Sequence, residues 1–302
     1  MTTSKSAAAR HLSPKRLHPR LGEAWRSFKH EDYGAGVFLA MKAVEVAVRD
    51  AAGMSPSDLG MSLMRKAFDV FGGPLSDYSA ESAERQARSD LFAGAIGSYK
   101  NPHSHRDVLL DNPAEVAEIM MFANHLLRIV DASAARTFAS IASQPLTPQE
   151  ERILRMWFTI DMNDGRSLKE IGLQFGLAPR EVQTIIHKAM RELKHRSVYN
   201  QLIAALANTN LKDMQGLLDK LEQSQLGKQV SSWLGKGKNL PITADQLRAA
   251  LGNDQVQQLA MYFDFAMDKM LAVTAENLPD IVDKLSPNGK LQPLVVGYWA
   301  ML

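Results

Sequence analysis

Apolar side chains recur along this chain at the three- and four-residue steps of an α-helix, and helix-start residues stand where the recurrences begin. Val37, Met41, Val44 and Val48 make one stripe over Tyr33 to Asp50. Val116, Ile119, Met120, Ala123, Leu126, Leu127 and Val130 make another behind the cap sequence Asn112-Pro113-Ala114-Glu115. Between them, Gly72-Gly73-Pro74 signals a turn and Ala80 to Tyr99 a further helix. Towards the C-terminus a helix is expected over Val198 to Leu226 with a stop at Gly227, and Lys228 to Leu234 is a short segment. Thr243-Ala244-Asp245-Gln246 is a capping box whose helix ends at Gly252. Asn253 starts another, and Leu278 to Leu285 is the last, stopped by Pro287-Asn288-Gly289. The loop Gly235-Lys236-Gly237-Lys238-Asn239 lacks the spacing of a phosphate loop.

The segment Pro145 to His195 carries the densest set of signals. Thr147-Pro148-Gln149-Glu150 and Ser167-Leu168-Lys169-Glu170 are capping boxes, each opening an apolar-periodic run. Gly176 breaks the chain and Pro179 opens a third helix, on which Val182, Ile185, Ile186, Ala189, Met190 and Leu193 form one buried stripe. Two helices joined by a short glycine-containing turn are the helix-turn-helix pattern. The opposite face of the third helix carries Arg180, Gln183, Thr184, His187, Lys188 and Arg191. Arginine and glutamine reach base edges, and lysine and arginine neutralise phosphates, so these six are the candidate DNA-binding residues. A charged face alone is equally the solvated side of a packing helix. The turn, the caps and the basic end together favour the binding reading.

A second constellation is Tyr99-Lys100-Asn101-Pro102-His103-Ser104-His105-Arg106. Pro102 suits a first helical position with Asn101 as its cap, which sets Asn101 and His105 about one turn apart with Lys100 beside them. A histidine in that setting handles a proton near neutral pH, and a cation stabilises charge developing on phosphorus. Lys100, Asn101 and His105 are the candidate catalytic residues, against the plainer reading of a polar loop closing a helix end. Glu45 and Arg49, four apart, read as a surface ion pair contributing a few tenths of a kcal/mol.

Composition narrows the classes. The chain has 302 residues, enough for two or three domains, with 45% hydrophobic and 23% charged residues. Its net charge of +2 leaves any nucleic-acid binding to local patches. With no cysteine, disulfides, cysteine-zinc sites and thiol catalysis are excluded. The eight histidines show no ligand spacing such as HExxH, so neither a metal nor a cofactor is expected. No run reaches the ~18 apolar residues of a membrane span, so no membrane partner and a cytoplasmic location are expected. Residues 1–18 hold only basic charges and read as a disordered arm. Met261 to Met270, rich in methionine and aromatic residues, reads as core packing, with a partner-docking surface as the alternative.

Three resemblances follow from these residues. LTPQEERILRM, the DMNDG turn, SLKEIGLQFG and KAMRELKH resemble region 4 of housekeeping bacterial sigma factors, the part that reads the promoter −35 element. Where that family has a hydroxyl cap and an arginine-rich run, this chain has Ala178-Pro179-Arg180-Glu181-Val182-Gln183-Thr184. The resemblance therefore implies a DNA-facing helix without the family's base preference. HPRLGEAWRSFKHEDYGAGVFLAMKAVEVAVRD with LFAGAIGSYKNPHSHRDV resembles the Ymh-type branch of the HEPN superfamily. That resemblance implies a dimerising four-helix bundle and a metal-independent endoribonuclease site. In that site His105 moves the proton, Lys100 contacts phosphate in place of an arginine, and Asn101 positions the loop. SSWLGKGKNLPITADQLRAALGNDQVQQLA and LPDIVDKLSPNGKL resemble the YidB-like family, which implies an all-α fold and no named activity.

The expected architecture is all-α: the arm, a HEPN-like helical bundle over 19–136, a helix-turn-helix over 145–196 and a YidB-like helical domain over 197–302. The expected function is a DNA-binding, sigma-like transcription regulator, dimeric through its first domain. Its expected partners are duplex DNA, RNA polymerase and, through the first domain, RNA. An endoribonuclease targeted by the helix-turn-helix and a non-catalytic scaffold are the alternatives.

Overall fold

The computed structural model describes residues 12, 14–102, 110–143, 146–158, 167–263 and 266–292, and among these every regular element is helical. Contacts divide the chain into one unit of residues 1–80 and 84–190 and a second of residues 81–83 and 191–302.

In the first unit the long helix α2 (Tyr33–Ala51) lies at the centre, because its apolar stripe is the widest of the early chain. Val37, Met41, Val44 and Val48 are all fully buried, as their spacing predicts. Against α2 pack α1 (Gly22–Lys29), α3 (Gly60–Ala67) and α5 (Pro113–Ala142). α4 (Ser82–Ala95) leads into a π-turn over Ile96–Lys100 that also touches α2. Phe68 and Phe92 stack in this core with ring centroids 4.3 Å apart. α5 starts at the expected cap, since the Asn112 side chain accepts from Ala114 N–H.

The end of the expected basic arm is packed. Leu12 is 2% exposed and its carbonyl accepts from Trp25 Nε1. His18 Nε2 lies 3.0 Å from Asp131, and Arg128 donates to the Arg16 carbonyl. Residues 1–11 lie outside the described residues.

Three further helices complete this unit: α6 (Pro148–Trp157), α7 (Leu168–Phe175) and the first part of α8 (Pro179–Leu206). Phe158 packs on Phe138 of α5, with centroids 5.9 Å apart. Gly53, at the end of α2 with φ +62, allows the α8 stripe to come close: a Cβ there would stand 3.0 Å from Ile186 Cγ2. A side chain at Gly53 would push α8 outward, so glycine serves both the left-handed backbone and the approach.

The second unit contains the rest of α8, α9 (Met214–Leu221) with a π-turn over Glu222–Leu226, α10 (Gly227–Leu234), α11 (Ala244–Leu251), α12 (Asn253–Phe263) and α13 (Met267–Leu285). Two expectations are corrected here. The border expected between residues 196 and 197 falls inside a helix, because Leu193, Val198, Tyr199 and Leu202 continue a buried stripe across it. Gly227 opens α10 instead of stopping a helix; the break falls earlier, around residues 207–213 and at Gln225, whose φ is +67. Trp233 is fully buried with its indole N–H on the Leu240 carbonyl, and anchors the core. Met261 and Tyr262 are 75% and 51% exposed and Met267 is also exposed, so the expected core packing of that stretch holds for Met270 and not for these three. Residues 293–302 of the apolar tail lie outside the described residues.

His195 gives the second unit a pH dependence. Its ring is 4% exposed, with Nδ1 accepting from the Lys284 ammonium at 3.0 Å. Burial first, and the Lys284 charge second, push its pKa down to about 4. A histidine in the unfolded chain titrates near 6.5, so the unfolded state binds the proton first as pH falls. The stabilisation is present above about pH 6.5 and fades towards pH 4, by up to about 3 kcal/mol. Urea titrations at pH 7 and pH 4.5 should show this loss, and His195→Gln should flatten it.

Candidate functional site

Both capping boxes of the helix-turn-helix form as read. Thr147 Oγ1 accepts from Glu150 N–H while the Glu150 carboxylate accepts from Thr147 N–H, and Ser167 and Glu170 do the same. The Thr147 backbone N–H, with the Lys188 ammonium and the Thr147 hydroxyl behind it, holds the Glu150 carboxyl below the usual carboxylate range against the effect of burial. α7 ends at Gly176 in the left-handed conformation, φ +67. The turn is drawn tight by Leu177 N–H on the Gly172 carbonyl, 2.9 Å. At the start of α8, Ala178 has no side chain to cap with, and Glu181 supplies half of the box by accepting from Ala178 N–H at 2.7 Å.

The two faces of α8 separate as the sequence predicts. Val182, Ile186, Ala189, Met190 and Leu193 are buried, and Ile185 is half-buried. Arg180, Thr184, His187, Lys188 and Arg191 are exposed, and Gln183 is half-buried. Two of these have partners inside the fold. Thr184 Oγ1 donates to the Arg180 carbonyl at 2.9 Å, so its hydroxyl is engaged by its own helix. Lys188 Nζ lies 3.2 Å from Glu150 Oε1, which ties α8 to α6 and orients the ammonium. Arg180, Lys188 and Arg191 thus offer three cations along one exposed helix side.

The second constellation is arranged differently from its sequence reading. Asn101 does not take a cap conformation. Its φ of −60 and ψ of −42 are helical, and its N–H bonds to the Ile96 carbonyl across the π-turn. The cause is Pro102, which has no N–H and whose ring would meet the carbonyl four residues earlier in a regular α-turn; the wider turn makes room. His103, Ser104, His105 and Arg106 lie outside the described residues, so the expected Asn101–His105 spacing is not described.

Lys100 is held from the inside. Its ammonium lies 3.2 Å from Glu45 Oε1, with the two side chains 16% and 4% exposed. The same Glu45 carboxylate accepts from Gly60 N–H at 2.6 Å and lies 3.6 Å from Arg49 Nη2. Glu45 is therefore a buried hub that joins α2, the start of α3 and the π-turn, not half of a surface pair. Its position in the stripe Met41, Val44, Glu45, Val48 was the signal for this. The hub sets the Lys100 amine at the π-turn before Asn101, against the Glu45 carboxylate.

Among the described residues no group of three or more histidine and carboxylate side chains is placed to hold a metal, and no helix is long and apolar enough to cross a membrane.

Comparison with known proteins gives three partial likenesses in series. The family model described as a protein of unknown function, Hypoth_ymh, matches residues 15–130. The model for sigma-70 region 4 matches residues 144–195, and the YidB-like protein model matches residues 202–293. Among curated proteins, the uncharacterized protein YidB of Escherichia coli K12 is 36% identical over 81 residues, 26% of this chain and 61% of that protein. RNA polymerase sigma factor SigA of Clostridium acetobutylicum is 33% identical over 85 residues, 28% of this chain and 19% of its own length. RNA polymerase sigma factor RpoD of Neisseria gonorrhoeae is 38% identical over 69 residues, 23% of this chain and 11% of its own. The chain thus spans about three fifths of YidB and a fifth or less of the two sigma factors. No solved structure matches it.

Proposed function

We propose that this chain is a DNA-binding, sigma-like regulator of transcription that lays the exposed side of α8 against duplex DNA. The observation that carries this reading is the clean division of α8. One side is buried in the unit, and the other presents Arg180, His187, Lys188 and Arg191 from the second helix of a helix-turn-helix. The match to sigma-70 region 4 over the same residues supports it and makes RNA polymerase the natural protein partner. The first bundle acts in dimerisation, which would present two such helices to paired half-sites. The protein then works in the cytoplasm, where both partners are found.

Binding through Arg180, Lys188 and Arg191 has a measurable signature. Each phosphate neutralised contributes about −0.9 to the slope of log affinity against log salt. The double variant Arg180→Ala/Lys188→Ala should weaken binding to fluorescent duplex about tenfold or more and flatten that slope by roughly two. Unchanged affinity and slope would remove α8 from the interface.

The Glu45 hub favours a second reading, an endoribonuclease in the first domain, because it holds the Lys100 ammonium beside Asn101 at a π-turn. In that reading His105 takes the proton from the RNA 2′-hydroxyl as it attacks the adjacent phosphorus, and the 5′-oxygen leaves. Cleavage of end-labelled RNA in EDTA that both His105→Ala and Lys100→Ala abolish is the expected result. Intact RNA over a panel of structured and single-stranded substrates would leave the bundle as a dimerisation module.

A further inference from the structure

Trp157, at the end of α6, stands between two cavities of about 410 and 500 Å³, both also lined by Arg20 and Asp50. Among the described residues its buried indole Nε1 meets no acceptor. An indole N–H is a donor only, and buried donors of this kind nearly always have an acceptor. The two other described tryptophans follow the rule: Trp25 and Trp233 donate to the carbonyls of Leu12 and Leu240.

The charge around the first cavity is one-sided. Lys15, Arg16, Arg20 and Arg128 line it against Asp50 and Asp131. The groups are also pre-set. The Asp50 carboxylate holds the Arg20 guanidinium at 2.9 Å, and His18 is fixed by Arg20 N–H on its Nδ1 and Asp131 at its Nε2. Lys15 and Arg16 are exposed at the surface of the cavity. A concave, cation-rich wall concentrates anions, and volumes of this size suit a small molecule.

We infer that this cleft binds a small organic phosphate, its phosphate on Lys15, Arg16 and Arg20 and a neutral acceptor at its other end on the Trp157 indole N–H. The second cavity adds a consequence. Arg20 and Trp157 line it together with Gln183 and His187 of α8, so the end of the occupant held by the Trp157 indole lies beside the helix assigned to the duplex. Occupancy therefore lowers affinity for DNA. This second part rests on the duplex reading; the binding site itself does not.

The test uses the full chain labelled with ¹⁵N, whose indole N–H signals are four in number, one for each tryptophan. Trp157→Phe identifies one of them, and the signal of Trp233 in the second unit serves as the reference. Adenosine 5′-monophosphate and glucose 6-phosphate are titrated beside adenosine and glucose. The expected result is a saturable downfield shift of the Trp157 signal by at least one of the phosphates and by neither neutral compound. Lys15→Gln/Arg16→Gln should raise the apparent Kd about tenfold, the loss expected from weakening one charged contact set. A Trp157 signal that stays in place with every compound at about 10 mM, where millimolar sites are largely filled, overturns the site. An equal shift with adenosine or glucose overturns the assignment to phosphate. With the site filled, the duplex Kd should rise about fivefold or more. An unchanged Kd overturns the coupling. No duplex binding with or without phosphate overturns the duplex reading and leaves the indole result standing.

Discussion

Glu45→Gln should lower the stability of the first unit by about 3 kcal/mol or more, the usual loss when one partner of a buried ion pair is removed. Glutamine keeps an oxygen for Gly60 N–H, so α3 retains its first hydrogen bond. It removes the negative charge that faces Lys100 at 3.2 Å and Arg49 at 3.6 Å, where both cations are largely shielded from water. The urea midpoint should fall without a change in slope. Lys100→Met in the same chain should restore part of the loss, because the orphaned cation is then gone. A Glu45→Gln variant as stable as wild type would mean that the carboxylate stays solvated. The pair also separates fold from chemistry: Lys100→Met alone should retain a folded bundle while removing any phosphate contact by that amine.

Gly172→Ala should be the most damaging single methyl in the helix-turn-helix. A Cβ at residue 172 would stand 2.4 Å from the Leu177 carbonyl oxygen, and the obstacle is backbone that cannot swing aside. The turn must open, which breaks the Leu177–Gly172 hydrogen bond and moves α7 from α8. We expect a loss of about 3 kcal/mol or more in this unit, at the upper end of overpacking. Duplex binding should be lost with it. The matched control is Gly94→Ala in α4, where the added methyl meets nothing within 4 Å. There alanine should stabilise by about 0.5–1 kcal/mol through its better helix propensity. Equal effects of the two substitutions in chemical denaturation would refute the steric argument.

Much of the fold could be read because capping and periodicity are local. The boxes at Thr147, Ser167 and Thr243 each consist of residues three apart, so four residues of sequence contain the whole interaction. The stripes on α2 and α8 were legible for a related reason, since a helix repeats its buried face every turn. What escaped depends on partners distant in sequence. Glu45 and Arg49 have the same spacing whether solvated or buried; the place of Glu45 in the apolar stripe hints at burial, but its partner Lys100 lies 55 residues away. Pro102 pointed to a helix start, yet proline equally fits after a widened turn, and here that turn packs on α2. The apolar stretch around Met261 shows the reverse limit: hydrophobic character predicts burial only when another element arrives to cover it. The exposed face of α8 was identified by position, whereas the partners of Thr184 and Lys188 were not visible.

The unbroken helix α8 has a consequence for where this chain can be divided. The sigma-like match ends at residue 195 and the YidB-like match begins at residue 202, which invites a fragment boundary in between. A cut there would sever a helix in mid-course. The C-terminal fragment would lose its lead-in through Val198 and Tyr199, both nearly fully buried, and the N-terminal fragment would end on bare carbonyls beside Leu193. Fragments that share α8, one ending after Leu206 and the other starting at Pro179, should be the soluble ones. Sequence likeness and foldability thus draw different borders along this chain: the two matches part within a few residues, while the smallest pieces expected to stand alone overlap by a whole helix.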